Sequence, residues 1–177
     1  MMAKVLRILA TIIACLITVV CAFYTDKNNQ AALYSPFLFI VVIILTNLDQ
    51  VRVNKLKALG LGLMLALPVF FISALAVVAF TKIVKDAQLG IVLGSALSAG
   101  LLFLVNSLYF NIRSFKACLA ITAVLGGIAP FVAQFFRLYL PGINSSAGLV
   151  EDPALFFICW QVLVGLGISI GIWVKAD

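Results

Sequence analysis

The chain has no histidine and only 6 acidic residues in 177, and these shortages exclude more chemistry than the rest of the sequence supplies. Without histidine, and with Cys15, Cys21, Cys118 and Cys159 spread singly along the chain, no zinc or haem ligand set is expected. No cofactor is expected either. Cys21 and Cys159 could share one depth, but the spacing shows no disulfide framework, and the cysteines read as small apolar packing residues. The carboxylates Asp26, Asp49, Asp86, Glu151, Asp152 and Asp177 all fall in polar breaks or at the chain's end. An intramembrane hydrolase or a proton-coupled pump places an ionisable group at depth, so an enzyme or carboxylate-driven pump is not expected. Ser73, Ser95, Ser98, Ser107 and Ser169 lack a histidine, or a lysine at matching depth, to activate them.

Apolar residues fill the chain instead, at 65% against 10% charged. No single soluble core of this size hides so much apolar surface, so the exterior must be lipid. Apolar runs near ~20 residues match a hydrocarbon core of ~30 Å at the helical rise. Six are read, at 5–24, 33–48, 57–81, 87–109, 117–136 and 153–174, giving an all-α polytopic bundle in one membrane domain, 1–177. The second is short, and Gly126, Gly127 and Pro130 interrupt the fifth, so five spans plus a re-entrant piece is the alternative. The first run is nearly a full bilayer long and is read as retained, although Val20-Cys21-Ala22 resembles a weak cleavage site.

The net charge of +6 comes from Lys and Arg in twos and threes beside the apolar runs. That pattern signals topology and not a nucleic-acid surface. With the N-terminus inside, Lys4, Arg7, Arg52, Lys55, Lys57, Arg113, Lys116 and Lys175 fall in the cytoplasm, against Lys27, Lys82, Lys85 and Arg137 outside. The positive-inside bias therefore puts both termini in the cytoplasm, most simply of a bacterial inner membrane. The Asn144-Ser145-Ser146 triplet matches a glycosylation acceptor by chance, and Asp152 before Pro153 supplies a cap that starts the sixth span sharply.

Small residues recur at helical spacing, as Ala10 and Ala14, Gly90, Gly94 and Ser98, Ala96 and Gly100, and Gly167 and Gly171. In lipid such residues let helix backbones approach, and internal packing is the simpler reading than an oligomer interface. The fourth and sixth spans are the expected interior helices. Polar side chains at depth are Asn47, Asn106, Thr122, Gln134 and Gln161, the last beside Trp160. A buried amide must meet a partner, water or a ligand. Singly, each reads as an interhelical hydrogen bond; with Trp160, Gly126, Gly127 and Pro130, the amides Asn47, Asn106, Gln134 and Gln161 form the candidate ligand-binding set. Phenylalanines and amides together suit a small amphipathic organic solute.

One internal echo stands out, because Leu45-Thr46-Asn47 and Leu56-Lys57-Ala58 align onto Leu104-Val105-Asn106 and Phe115-Lys116-Ala117 at an offset of 59. Each turn leads to a span with a central proline, Pro68 and Pro130, after a three-residue shift. A parallel repeat of 33–81 and 87–136 explains the echo, and the general likeness of helix hairpins explains it equally well.

Leu6-Arg7 entering the first span with Ala10, Tyr34-Ser35-Pro36-Phe37 opening the second, and Lys57-Ala58-Leu59-Gly60 with Gly62 opening the third form an ordered set. Over about the first 80 residues this pattern resembles the six-helix membrane half of fusaric-acid-resistance and aromatic-acid exporter proteins. The resemblance implies export of an aromatic acid, with a homodimer recreating two membrane halves. Two functions are carried forward. The first is a transport component, its solute held between the third, fifth and sixth spans. The second is a non-transporting subunit, an assembly partner or an immunity factor, with a membrane or periplasmic protein as its partner.

Overall fold

Helices form where apolar runs meet good caps, and they stop where the caps are spent. The computed structural model describes residues 2–25, 31–112, 114–139 and 153–173. Among them are six α-helices: α1 (Met2–Thr25), α2 (Ala31–Thr46), α3 (Lys55–Val84), α4 (Ala87–Ser107), α5 (Phe115–Tyr139) and α6 (Pro153–Trp173). A single 3₁₀ turn at Leu48–Gln50 follows α2. Asn54 caps α3 by accepting from Leu56 N at 2.9 Å. That helix ends at Lys85, left-handed at φ 56°, whose N–H donates to Thr81 O at 3.0 Å. Asp86 at once caps α4, accepting from Leu89 N at 3.0 Å. The Asn144 triplet and Asp152 lie outside the described residues, while α6 does begin at Pro153.

Short connections make successive helices run up and down. Arg7, Asn47, Arg52, Ser107 and Trp173 meet at one end, called proximal here. Ala22 meets Tyr34, and Phe23 meets Phe157, at the other, distal end. Each helix packs on the next, α6 closes the ring against α1, and α6 also reaches inward to α2 and α4. Half of α4's apolar window and 56% of α6's is buried, against 11% of α3's, so α4 and α6 are the interior helices.

Among the described residues five helices are long and apolar enough to cross a membrane, and the chain is an integral membrane helical bundle. The exception is α2, whose 16 residues rise only about 24 Å. The 3₁₀ turn adds roughly 6 Å to its proximal end. The described helices run past the spans read from sequence at several ends, most of all α3 and α5, with 30 and 25 residues against the expected 57–81 and 117–136.

The fifth span is one unbroken helix, so the re-entrant alternative does not form. Gly126 marks a close approach: a Cβ there would collide with Ala99 and lie 2.8 Å from Ser95 O on α4. Pro130 removes one N–H from the ladder without ending it. The other small residues behave alike. Gly90 abuts the Thr81 backbone, Gly94 abuts Val77, and Gly167 and Gly171 abut Thr122 and Cys118. These glycines hold internal helix pairs together. None of the four cysteines is in a disulfide, and only Cys21 is exposed.

Candidate functional site

The proximal end is closed by a polar knot centred on Asn47. Its position just past the last turn of α2 turns the amide inward, where it is 0% exposed. Asn47 Oδ1 accepts from Trp173 Nε1 at 2.6 Å, and its Nδ2 donates to Ile43 O at 2.9 Å, Thr46 Oγ1 at 3.0 Å and Thr11 Oγ1 at 3.3 Å. One amide thus ties α1, α2 and α6. Above it, the Arg7 guanidinium lies 5.9 Å from the Trp173 ring centroid and 3.9 Å from Asp49.

Asn106, equally buried, bonds locally. Its Nδ2 donates to Leu102 O at 2.7 Å, and its Oδ1 accepts from the buried Tyr109 hydroxyl at 3.1 Å. The two proximal turns are then joined to each other. Val51 forms an antiparallel bridge with Phe110, and Arg52 N–H donates to Tyr109 O at 2.9 Å. The Arg52 guanidinium donates to Ser107 O at 2.9 Å and to Leu108 O at 3.1 and 3.3 Å. Those carbonyls close α4, where a cation also complements the helix dipole.

Away from this end the packing opens. A cavity of about 370 Å³ lies between α2, α3, α4 and α6. Pro36, Phe70, Phe156, Phe157 and Trp160 form its apolar walls, and Ser73, Ser95 and Ser98 come from facing sides of α3 and α4. None of its wall residues is ionisable. Trp160 is fixed in place because its indole N–H donates to Ser95 O at 3.3 Å. Ser98 donates to Gly94 O at 2.6 Å, whereas buried Ser73 Oγ has no partner among the described residues. The cavity reaches toward the proximal end only as far as Ala66 and Leu102. Beyond them Ile40, Ile44, Phe103 and Tyr109 are fully buried.

Of the candidate residues, Trp160 lines the cavity, and Gly126 sits behind it, the site of its Cβ being 3.5 Å from Trp160 Nε1. Gly127 packs on Ala96 and Val92 of α4, and Pro130 is buried in α5. Asn47 and Asn106 lie in the proximal packing, apart from the cavity wall. Gln161 is buried with its Nε2 unpartnered among the described residues, and it is not in the cavity wall. Gln134 lies on the exposed side of α5. The structure therefore does not gather the amides into one site. The serines and Phe70, Phe156 and Phe157 were not in the candidate set. Their only sequence signal was small and hydroxylic residues spaced at i, i+3 and i+4 in α3 and α4, which leave room when two helices face each other.

No family model, curated protein or solved structure matches the chain.

Proposed function

We propose that the chain is a membrane-embedded component that binds and passes a small, neutral, largely apolar solute in the cavity between α2, α3, α4 and α6. The carrying observation is a void of about 370 Å³ walled by aromatic rings and serines, with no charge in the wall. Its size falls within the range of small-molecule sites, and rings beside a few hydroxyls suit an amphipathic ligand. A carboxylate there would lose its hydration without gaining a counter-charge, so an organic acid enters protonated. This sharpens the aromatic-acid exporter resemblance into a preference for the neutral form. The charge bias of the loops supports a cytoplasmic proximal end in a bacterial inner membrane.

The filled proximal half supports a second reading, in which the protein holds a solute without passing it and serves as a subunit of a larger assembly. Titration of the solubilised protein with benzyl alcohol and with benzoate at neutral pH, followed by tryptophan emission, tests the site common to both readings. Benzyl alcohol should give a saturable change that Ser98→Leu abolishes, and benzoate should give none. A parent protein without saturation, or a Ser98→Leu protein that responds unchanged, removes the cavity as the site. Flux of the same alcohol in vesicles then separates the two readings.

A further inference from the structure

The buried positions of α2 recur in α4 at a constant offset. Ala31, Ser35, Phe39, Ile43 and Asn47 map onto Gly90, Gly94, Ser98, Leu102 and Asn106, all buried, at 59 residues. Pro36, Ile40 and Ile44 map likewise onto buried Ser95, Ala99 and Phe103. Past the turns burial follows an offset of 60, one residue off the echo of Ala58 with the exposed Ala117, and buried Ala58, Gly62, Ala66 and Val69 map onto buried Cys118, Thr122, Gly126 and Ala129. Helical periodicity alone would produce such a match at about one offset in four. Three further features select the same offset. The sequence echo at 45–47 and 104–106 is the first. Hydrogen bonding is the second: Asn47 and Asn106 each donate to the carbonyl four residues back, and each accepts from the backbone N–H three residues on, Gln50 and Tyr109. The third is contact, because Val51 and Phe110, themselves 59 apart, pair with each other.

We infer that α2–α3 and α4–α5 are two copies of one helix pair, and that the meeting of their equivalent turn residues Val51 and Phe110 is the seal closing the proximal end of the cavity. The inference rests on reading the cavity as a solute site. That cavity lies at the boundary of the two units, with α2 and α3 on one side and α4 on the other, where repeat-built transporters hold their solutes. Arg52 fastens the seal across the boundary through Ser107 O and Leu108 O, and its side chain is exposed. Beneath it, Tyr109 packs toward Gly62, whose Cβ would lie 3.6 Å from the hydroxyl. An exposed fastening over a tightly filled floor lets the seal part without unfolding the bundle.

The test places a reporter thiol in the cavity by Ser73→Cys, with Cys21→Ala to remove the exposed native thiol, and follows its reaction with a charged, water-soluble methanethiosulfonate. The same chain with Ser73 retained supplies the background from the buried cysteines. Arg52→Ala and, separately, Phe110→Ala should each raise the labelling rate about ten-fold. Val51→Cys with Phe110→Cys should cross-link under mild oxidation, since bridged residues bring their Cβ atoms within disulfide reach. In the Arg52→Ala chain that cross-link should return labelling to the parent rate. Unchanged rates in both single variants, or cysteines at 51 and 110 that do not cross-link in a folded protein, overturn the seal. Benzyl alcohol binding is measured on the same samples. Binding with labelling unmoved rejects the seal alone, and labelling as expected without binding rejects the solute reading alone.

Discussion

Replacing Asn47 by alanine should loosen three helices at once, whereas the same change at Asn106 should disturb only α4 and its turn, although the two amides occupy matching places. Asn47→Ala removes the 2.6 Å bond from Trp173 and the bonds to Thr11 and Thr46, and it leaves the indole N–H of the partly buried Trp173 without that acceptor. An interhelical hydrogen bond in a membrane protein averages about 0.6 kcal/mol, and a buried donor left unpaired costs about 1–3 kcal/mol. Two interhelical bonds and one orphaned donor give a loss of about 2–4 kcal/mol. Asn106→Ala loses only local bonds, to Leu102 O and from Tyr109, but it strips the acceptor from the fully buried Tyr109 hydroxyl, for about 1–3 kcal/mol. Unfolding in mixed micelles with increasing sodium dodecyl sulfate, read by tryptophan emission, measures both. Trp173→Phe provides a cycle: its cost combined with Asn47→Ala should fall short of additivity by about 1 kcal/mol or more. A loss below about 1 kcal/mol at 47, or full additivity with Trp173→Phe, would refute the account of Asn47 as the tie between α1, α2 and α6.

Gly126→Ala should cost about 1–3 kcal/mol by forcing α5 off Ser95 and Ala99, and wild-type stability in the same unfolding assay would reject the close approach. Gly60→Ala, with nothing within 4 Å of the new Cβ and helical backbone, should stabilise by about 0.5–1 kcal/mol. Lys85→Gly relieves a left-handed residue at the α3 cap and should also stabilise, by about 1 kcal/mol, visible as a later midpoint. Asp49→Asn breaks an ion pair 45–54% exposed at 3.9 Å, and its effect should stay below about 1 kcal/mol and vanish in high salt.

The helices were legible because apolar length and capping are local properties. Pro153 was read as the start of α6, where its fixed φ suits a first turn, whereas the caps Asn54 and Asp86 of α3 and α4 came only with the structure. The internal use of Gly90, Gly94 and Gly167 was legible for the same reason, since small residues at fixed spacing describe one helix face. Gly126 was read for a break that its packing contradicts: a glycine weakens a free helix, yet here it admits the α4 backbone. Gln134 shows why depth alone misleads. The buried stripe of α5 runs through Thr122, Gly126, Ala129, Ala133 and Arg137, and Gln134 stands one residue off it. Of the cavity only Trp160 and the part of the third and sixth helices were legible, because its wall draws a few residues from each of four helices and depends on how far apart their backbones stand. Serines read as nucleophiles without a base, and Ser98 also as a small packing residue, gave no reason to place Ser73, Ser95 and Ser98 around a void.

The unequal lengths of neighbouring helices carry a consequence for the host bilayer. Between Ala58 and Thr81 the apolar part of α3 rises about 36 Å, while the whole of adjoining α2 rises about 24 Å. No flat hydrocarbon slab satisfies both, so lipid must thicken beside α3 or thin beside α2, or α3 must lean. Because α2 and α3 both border the cavity, the acyl-chain length of the surrounding lipids becomes a lever on its width. Reconstitution in short-chain and long-chain phosphatidylcholine should therefore shift solute affinity with no change to the protein itself.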